Sequence, residues 1–523
     1  MPLTLGLLNK LDKALLERQA REGFRLLDRA STAVDSLQPQ DPHAASFLLN
    51  LAQWVDLGYR DHHLIETLVE RFSGVDRAEM KLTDFIQLRM AEAFQSFAAE
   101  DADTAISILE RVLAIQPDLI DPKRLFVAHY WKGRAHRQKG EYELAMHHIL
   151  EAKMTAQHLH ASRLVAVAQI HESWMLFQRG RRKDAFRLLD DAERELKLTG
   201  HDLSLGNIAS ARGRYVRRSG EYTKALEHFQ QAIAIYSEHS PNHSNLARAL
   251  VNAAYVKRLI AIDLTHTAKE GRARGVQHDH YLRICAEALE LLERADRIYA
   301  LNRHRSGTGN VLVNAGHLHL DRDDIDRAWE EAAKAFALGQ EKHDVILMAR
   351  ARTLQAAIKN KQVEEQVGEA EDIASYGNAA AQFADEAIAL AQQTQNKRLL
   401  AGAYIARGST AANDFFEEWE SAKQFASLAG DLLSPDDRDH LSKELAVLKA
   451  RILRAIGIDE TLRSWSDGIT GDKTFQQITE EFAEIVIPKV WLRERRNISR
   501  VAAKLSISPK KVRRILRSVK LLR

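Results

Sequence analysis

Small and apolar residues recur along this chain at i, i+4 and i+7, in blocks parted by short polar turns, a spacing that predicts amphipathic helices. Four blocks share one register. Ala105, Ala145, Ala185 and Ala225 each stand five residues after a turn position, Glu100, Gly140, Gly180 and Gly220. Four residues further come Leu109, Ile149, Leu189 and Phe229, and then Val112, Ala152, Ala192 and Ala232. Seven residues before each turn position stand Ala93, Gly133, Ser173 and Gly213. The period is 40 residues, without slippage. Small residues mid-helix let two antiparallel helices approach closely, and a glycine between them tolerates a positive φ, so the pattern predicts stacked helical hairpins.

The register continues less cleanly. Ala288, Leu292 and Ala295 match it, as do Ala328, Ala332 and Ala335 with Gly316, then Ala380, Ala384 and Ala387, and Ala422, Ala426 and Ala429. A surplus of about 23 residues between Ala225 and Ala288 is expected as an inserted loop near 265–279. Residues 1–79 read as a helical cap with degenerate repeats, and 80–434 as the repeat body. Prolines 39, 42, 117, 122, 241 and 435 fall at expected junctions.

The turns Gly140-Glu-Tyr-Glu-Leu-Ala145 and Gly220-Glu-Tyr-Thr-Lys-Ala225 resemble the tetratricopeptide repeat in glycine, aromatic and small residue. The family repeats at 34 residues, so the resemblance implies longer helices here. It also implies a superhelix whose concave wall is lined by the first helix of each hairpin. Mapped on that basis, the groove holds Tyr130, Arg134 and Arg137, then Ile170, Trp174 and Phe177, then Arg214, Arg217 and Arg218. An aromatic patch flanked by arginines suits an acidic protein or peptide, or a small carboxylate or phosphate; an ordinary solvated face is the alternative.

The last residues differ in kind. Residues 489–523 carry thirteen Lys/Arg and one acid, a net +12, which leaves −9 for residues 1–488 of a chain whose total is +3. Such asymmetry marks a nucleic-acid-binding end on an acidic body. This end also has a core pattern. Asn497 caps a short helix with Ile498, Val501, Ala502 and Leu505 inward. Ser506-Ile507 forms a tight turn, and Ser508-Pro509 opens a second helix with Val512, Ile515 and Leu516 inward. The segment is similar to the helix-turn-helix of the nucleoid protein Fis and of bacterial enhancer-binding activators, at Asn497, Ile498, Ser499, Arg500, Val501, Ala502, Leu505, Ile507 and Ser508. Ser506 replaces the family's turn glycine, and Pro509 a position that often carries a base-contacting arginine. The resemblance implies duplex-DNA contacts from Ser508, Lys510, Lys511, Arg513, Arg514 and Arg517, and a homodimer on two half-sites. Trp491, the last aromatic of the chain, is expected in the core, not on a stacking platform for single strands.

Composition excludes several classes. With 45% hydrophobic and 28% charged residues the chain has ample core, and only 25 Gly and 9 Pro speak for helix over β structure. One cysteine, Cys285, excludes a disulfide framework and any cysteine-based zinc site. The pairs His158/His160, His278/His280 and His317/His319 are spaced i, i+2, which do not face one another on a helix, so no metal is expected. Gly468-Ile-Thr-Gly471-Asp472-Lys473 mimics a phosphate loop, but Asp472 separates glycine from lysine, and 435–473 reads as a helix and linker. No catalytic constellation or cofactor motif emerges, so an enzyme is not expected. The opening residues lack the pattern of a secretory leader, and no uncharged apolar run is long enough to span a membrane, so a cytoplasmic protein is expected.

The fold class expected is all-α: a tetratricopeptide-like helical-hairpin solenoid with a small C-terminal helix-turn-helix domain. The function expected is a DNA-binding transcriptional regulator whose arm binds a protein or small ligand. The alternative is a non-catalytic adaptor whose basic end is a structural cap.

Overall fold

The computed structural model describes residues 3–197, 202–268, 274–455, 473–519 and 521–522. Most of these residues are helical, with no β-strand among them. Eight antiparallel hairpins run from Leu82 to Leu432. Four follow the 40-residue period: Leu82–Ala98 with Ala102–Leu113, Pro122–Lys139 with Tyr142–His158, Ser162–Gln178 with Arg182–Lys197, and Asp202–Arg218 with Tyr222–His239. Ser244–Ala268 with Arg274–Leu301 is longer. Arg305–Asp321 with Ile325–Glu341, Val345–Glu364 with Ala370–Gln392, and Lys397–Ala411 with Trp419–Leu432 complete the series. Shorter helices, among them Leu5–Leu16 and Ala44–Asp56, cover the N-terminal face, and His440–Ala455 follows the last hairpin.

The register is a packing code. Ala105, Ala145, Ala185, Ala225, Ala288, Ala328, Ala380 and Ala422 are each 0% exposed, although only the first four belong to one unbroken 40-residue series. Their partners are the small residues of the facing helix. A Cβ on Gly133 would lie 3.1 Å from the Ala145 carbonyl oxygen; on Gly316, 3.3 Å from that of Ala328; on Gly408, 3.4 Å from that of Ala422. The same helix-to-helix approach thus recurs along the body. Ser173 takes this place in the third hairpin, where its buried hydroxyl donates to the Ile170 carbonyl at 2.8 Å and lies 3.0 Å from the Tyr215 hydroxyl. The turns repeat as well: Glu100, Gly140, Gly180 and Gly220 all have left-handed φ, at 68°, 82°, 80° and 79°.

The surplus near 265–279 departs from the expected loop. The flanking helices Ser244–Ala268 and Arg274–Leu301 run into it from both sides, so most of the extra length is added helix; residues 269–273 lie outside the described residues. The phosphate-loop look-alike and most of the expected linker, 456–472, also lie outside them.

The solenoid winds back on itself. Turns in the first half of the chain rest on the junctions ahead of helices 182–255 residues later. Gly58 meets Ser240, Glu100 meets Arg305 and Ser306, Gly140 meets Gln395, and Gly220 meets Arg438. The Gln395 amide donates to the Gly140 carbonyl at 3.0 Å, and the Arg438 amide to the Arg218 carbonyl at 2.9 Å. A Cβ on Gly220 would stand 2.7 Å from the Arg438 carbonyl oxygen, so this turn needs glycine for its φ and for the contact. At the same seam Asp437, buried, is bound by Arg182 and by Arg398, which also binds Asp439.

Residues 473–522 form a separate small core. Helices Phe475–Arg493, Ile498–Lys504 and Pro509–Ser518 enclose Ala483, Ile487, Trp491, Val501, Ala502, Val512, Ile515 and Leu516. Asn497 caps the second helix, accepting from the Arg500 amide at 3.1 Å, and Ser508 caps the third, accepting from Lys511 at 3.2 Å. Pro509 sits at the first helical position, where its missing N–H leaves no bond unmade. Ser506 adopts φ 52°, the left-handed conformation that a glycine takes at no cost.

Candidate functional site

The first helices of the hairpins present their residues to the inside of the coil, and the 40-residue period aligns Arg134, Trp174 and Arg214 in one row and Arg137, Phe177 and Arg217 in the next. The residues mapped to the groove take different roles there. Arg134 binds Asp56 through an ion pair of 2.5 Å, and the Trp131 indole donates to the same carboxylate at 3.0 Å. It joins the second hairpin to the N-terminal helices. Burial alone would raise the Asp56 carboxyl, but Arg134 and Trp131 outweigh it and hold it below the usual range.

Phe177, mapped to the aromatic patch of the groove, is sealed instead of open. It is 3% exposed, stacked on Tyr215 at 4.0 Å between ring centroids, and roofed by the Arg218 guanidinium at 4.6 Å. Its flat faces are used up by this cation–aromatic sandwich, and Ile170 is likewise buried. Trp174 remains half-buried, edge-on to Tyr142 at 4.9 Å and covered by Arg137 at 5.5 Å. Arg218 donates to Gln178 at 2.5 Å, and Arg217 lies over Tyr255 at 4.7 Å and bonds Asn252 at 3.3 Å.

Two further residues complete the inner wall. His171, one turn from Trp174, lies 3.0 Å from the Tyr130 hydroxyl, and burial together with Arg137, Arg134, Arg214 and Arg248 holds it neutral, well below the usual histidine range. Arg248 enters from Ser244–Ala268, the first helix to leave the strict period, so the 40-residue alignment does not find it. Burial and the surrounding guanidiniums push Arg137 down to about 9, and burial with Arg248 and Arg217 pushes Arg214 to about 10. Each still carries its proton at pH 7. Among the described residues neither Arg137, Arg214 nor Arg248 is ion-paired to a carboxylate, and the Arg214 Nε is buried without a hydrogen-bond partner.

At the C-terminus, Ser508, Lys510, Arg513, Arg514 and Arg517 are exposed and Lys511 is half-buried, and none of them belongs to the small core. Arg514 is engaged by Glu480 of the preceding long helix at 3.0 Å, and Ser518 by Glu484 at 2.8 Å. Trp491 is 8% exposed and belongs to the core. No cluster of His, Cys, Asp or Glu among the described residues could hold a metal, and no helix among them is long and apolar enough to cross a membrane. Cys285 is buried, and burial raises its thiol, the reverse of an activated nucleophile.

Together these features define a class: an all-helical hairpin solenoid of tetratricopeptide type. No protein-family model matches the chain, and no curated protein matches it in sequence. Among solved structures it is similar to a Rap protein complexed with competence and sporulation factor, at 13% identity and a TM-score of 0.52, over 74% of this chain and 98% of that one. It also aligns with NprR in complex with its cognate peptide NprX, at 13% identity and 0.47, over 73% and 98%. A human IFIT1 dimer with PPP-AAAA follows at 14% identity and 0.44, over 82% and 94%. The likeness to Rap shows the fold.

Proposed function

We propose that this chain is a DNA-binding regulator in which the coiled arm takes up a ligand and the C-terminal three-helix unit binds duplex DNA. One observation carries the reading. Two short helices capped by Asn497 and Ser508 meet at a left-handed turn, share a core with a third helix, and turn Lys510, Arg513 and Arg517 outward. That is the arrangement a helix-turn-helix needs to lay its second helix in a major groove, with Ser508 and Lys510 toward the bases and Arg513 and Arg517 toward phosphates. A net +12 over residues 489–523 supports it. Such a unit is small, and two copies on adjacent half-sites supply the interface that one lacks.

The adaptor reading is favoured by a different fact: Arg514 is already bound to Glu480, and Lys504 to Glu494, so part of the basic face is neutralised within the unit. For the arm, Rap complexed with its factor offers a precedent for a ligand held by this fold. A gel shift of the intact chain against a chain ending at Gly471 separates the readings. Retarded duplex with the intact chain alone supports the regulator; no retardation at low salt leaves the adaptor.

A further inference from the structure

Resting on the reading that the arm takes up a ligand, we infer that its inner wall is a binding site for a small phosphate-bearing anion, gripped by Arg137, Arg214 and Arg248 beside His171. The argument begins with charge. Three first helices, Pro122–Lys139, Asp202–Arg218 and Ser244–Ala268, each carry an arginine close enough to repel the other two, and none of the three meets a carboxylate among the described residues. Arg137 and Arg214 are half-buried and Arg248 is exposed; holding like charges close in a partly dry wall costs stability, which a bound anion would offset.

Neighbouring groups sharpen the choice of ligand. Arg134, which also lies near Arg137, is neutralised by Asp56, so it adds no net charge. His171 is neutral, leaving the charge of Arg137, Arg214 and Arg248 uncompensated. One carboxylate cannot balance this, whereas a phosphate monoester or diphosphate carries two to three charges and offers oxygens on several sides. Planar guanidinium forks match such oxygens two at a time. The Arg214 Nε, buried and without an acceptor, is one donor left for that oxygen. Arg137 is steadied over the Trp174 ring, so it is held in place before a ligand arrives. The contacts of Gly58 with Ser240 and of Glu100 with Ser306 bring the next coil against these hairpins, which favours a compact anion over an extended chain.

The test is titration calorimetry of the intact protein with inorganic pyrophosphate, with citrate as a carboxylate of similar charge. Pyrophosphate is expected to bind at micromolar to millimolar concentration, and at least tenfold more tightly than citrate. Arg137→Gln and Arg214→Gln should each weaken it tenfold or more, while Arg187→Gln, on an exposed arginine of an outer helix, should not. Without anion both inner variants should melt at or above the parent temperature, because each relieves repulsion; Arg137→Lys, which keeps the charge but not the fork, replaces any variant that does not fold. No binding of pyrophosphate, equal binding of citrate, or indifference to the inner substitutions overturns the inference. DNA retardation with no anion binding removes this inference alone, whereas anion binding without retardation removes the regulator and leaves the site.

Discussion

Glu100 closes the N-terminus of a helix that starts 205 residues later: its carboxylate accepts from the Arg305 amide at 2.7 Å and from the Ser306 amide at 3.0 Å. His304 lies 2.6 Å from the same group. Burial by itself would raise the Glu100 carboxyl, but the bonds from His304, Ser306 and Arg305 outweigh it and lower its pKa. The contact is therefore worth most above the ordinary glutamate range and is lost as pH falls through the depressed value. Glu100→Ala should cost about 1–3 kcal/mol at pH 7, the penalty of orphaned buried donors, and distinctly less at pH 3. Urea denaturation at both values checks this; equal losses would mean that the carboxylate charge plays no part.

Ala185→Leu should destabilise the arm by about 1–3 kcal/mol through overpacking, because Ala185 is 0% exposed between two close helices. Gly133→Ala tests the opposite wall of the same kind of contact. Its new methyl would stand 2.9 Å from Ile149 and 3.1 Å from a backbone carbonyl that has little room to yield. An unchanged denaturation midpoint for both variants would remove the packing account of the register.

Ser506→Gly should stabilise the C-terminal unit by about 0.5–1 kcal/mol, since a serine at φ 52° bears a steric cost that glycine does not. Amide hydrogen exchange in helices Ile498–Lys504 and Pro509–Ser518 reads it out, and faster exchange would contradict the left-handed turn.

DNA binding should fall with salt at a log–log slope of about −4 to −5 per subunit. Arg513→Ala or Arg517→Ala should reduce that slope by about one on every sequence alike, and Lys510→Ala should erode discrimination by about 1–3 kcal/mol. Because Arg514 is bound to Glu480, Glu480→Gln should strengthen binding by freeing it. Fluorescence anisotropy across a salt series measures all four; weaker binding by Glu480→Gln would show that the pair orients Arg514 for DNA instead.

Acid should weaken the arm before its carboxylates titrate. Burial, with nearby cationic groups, pushes His129 to about 4 and His148 to about 3, and burial pushes His243 to about 4. The unfolded chain takes up these protons near pH 6.5, so stability is full above that value and declines toward pH 4. His148→Gln should flatten the decline. A pH-independent midpoint from 7 to 4.5 would exclude the effect.

How far the sequence discloses this molecule depends on whether contacts are local or cross between coils. Ala145 and Gly133 are twelve residues apart, and their pairing repeats, so periodicity exposes it. The contacts of Glu100 with Ser306 and of Arg398 with Asp437 occur once each, between segments with no shared motif, and nothing in the pattern announces them. The inner wall was partly legible. Arg137 and Arg214 follow from the repeat, whereas His171 is masked by its neighbours Ile170 and Trp174, and Arg248 lies on a helix outside the period. Phe177 shows the limit of mapping by register, since a position can face inward and still be sealed by an adjacent guanidinium.

A solenoid joined only between neighbours behaves as a spring: it stretches smoothly and melts from its ends, one repeat at a time. The seams at Ser240, Ser306, Gln395 and Arg438 turn this spring into something nearer a rolled tube, because each turn of the coil is stitched to the one beyond it. The melting boundary of a tube must run along a whole seam, so the cooperative unit grows from a hairpin to a full coil. Pulling on one end then loads every stitch together, and the arm resists as a stiff rod until the seam tears. The last stitch, at Asp437 and Asp439, opens directly into helix His440–Ala455, so torque on the coil is handed to the segment that leads toward the basic C-terminus.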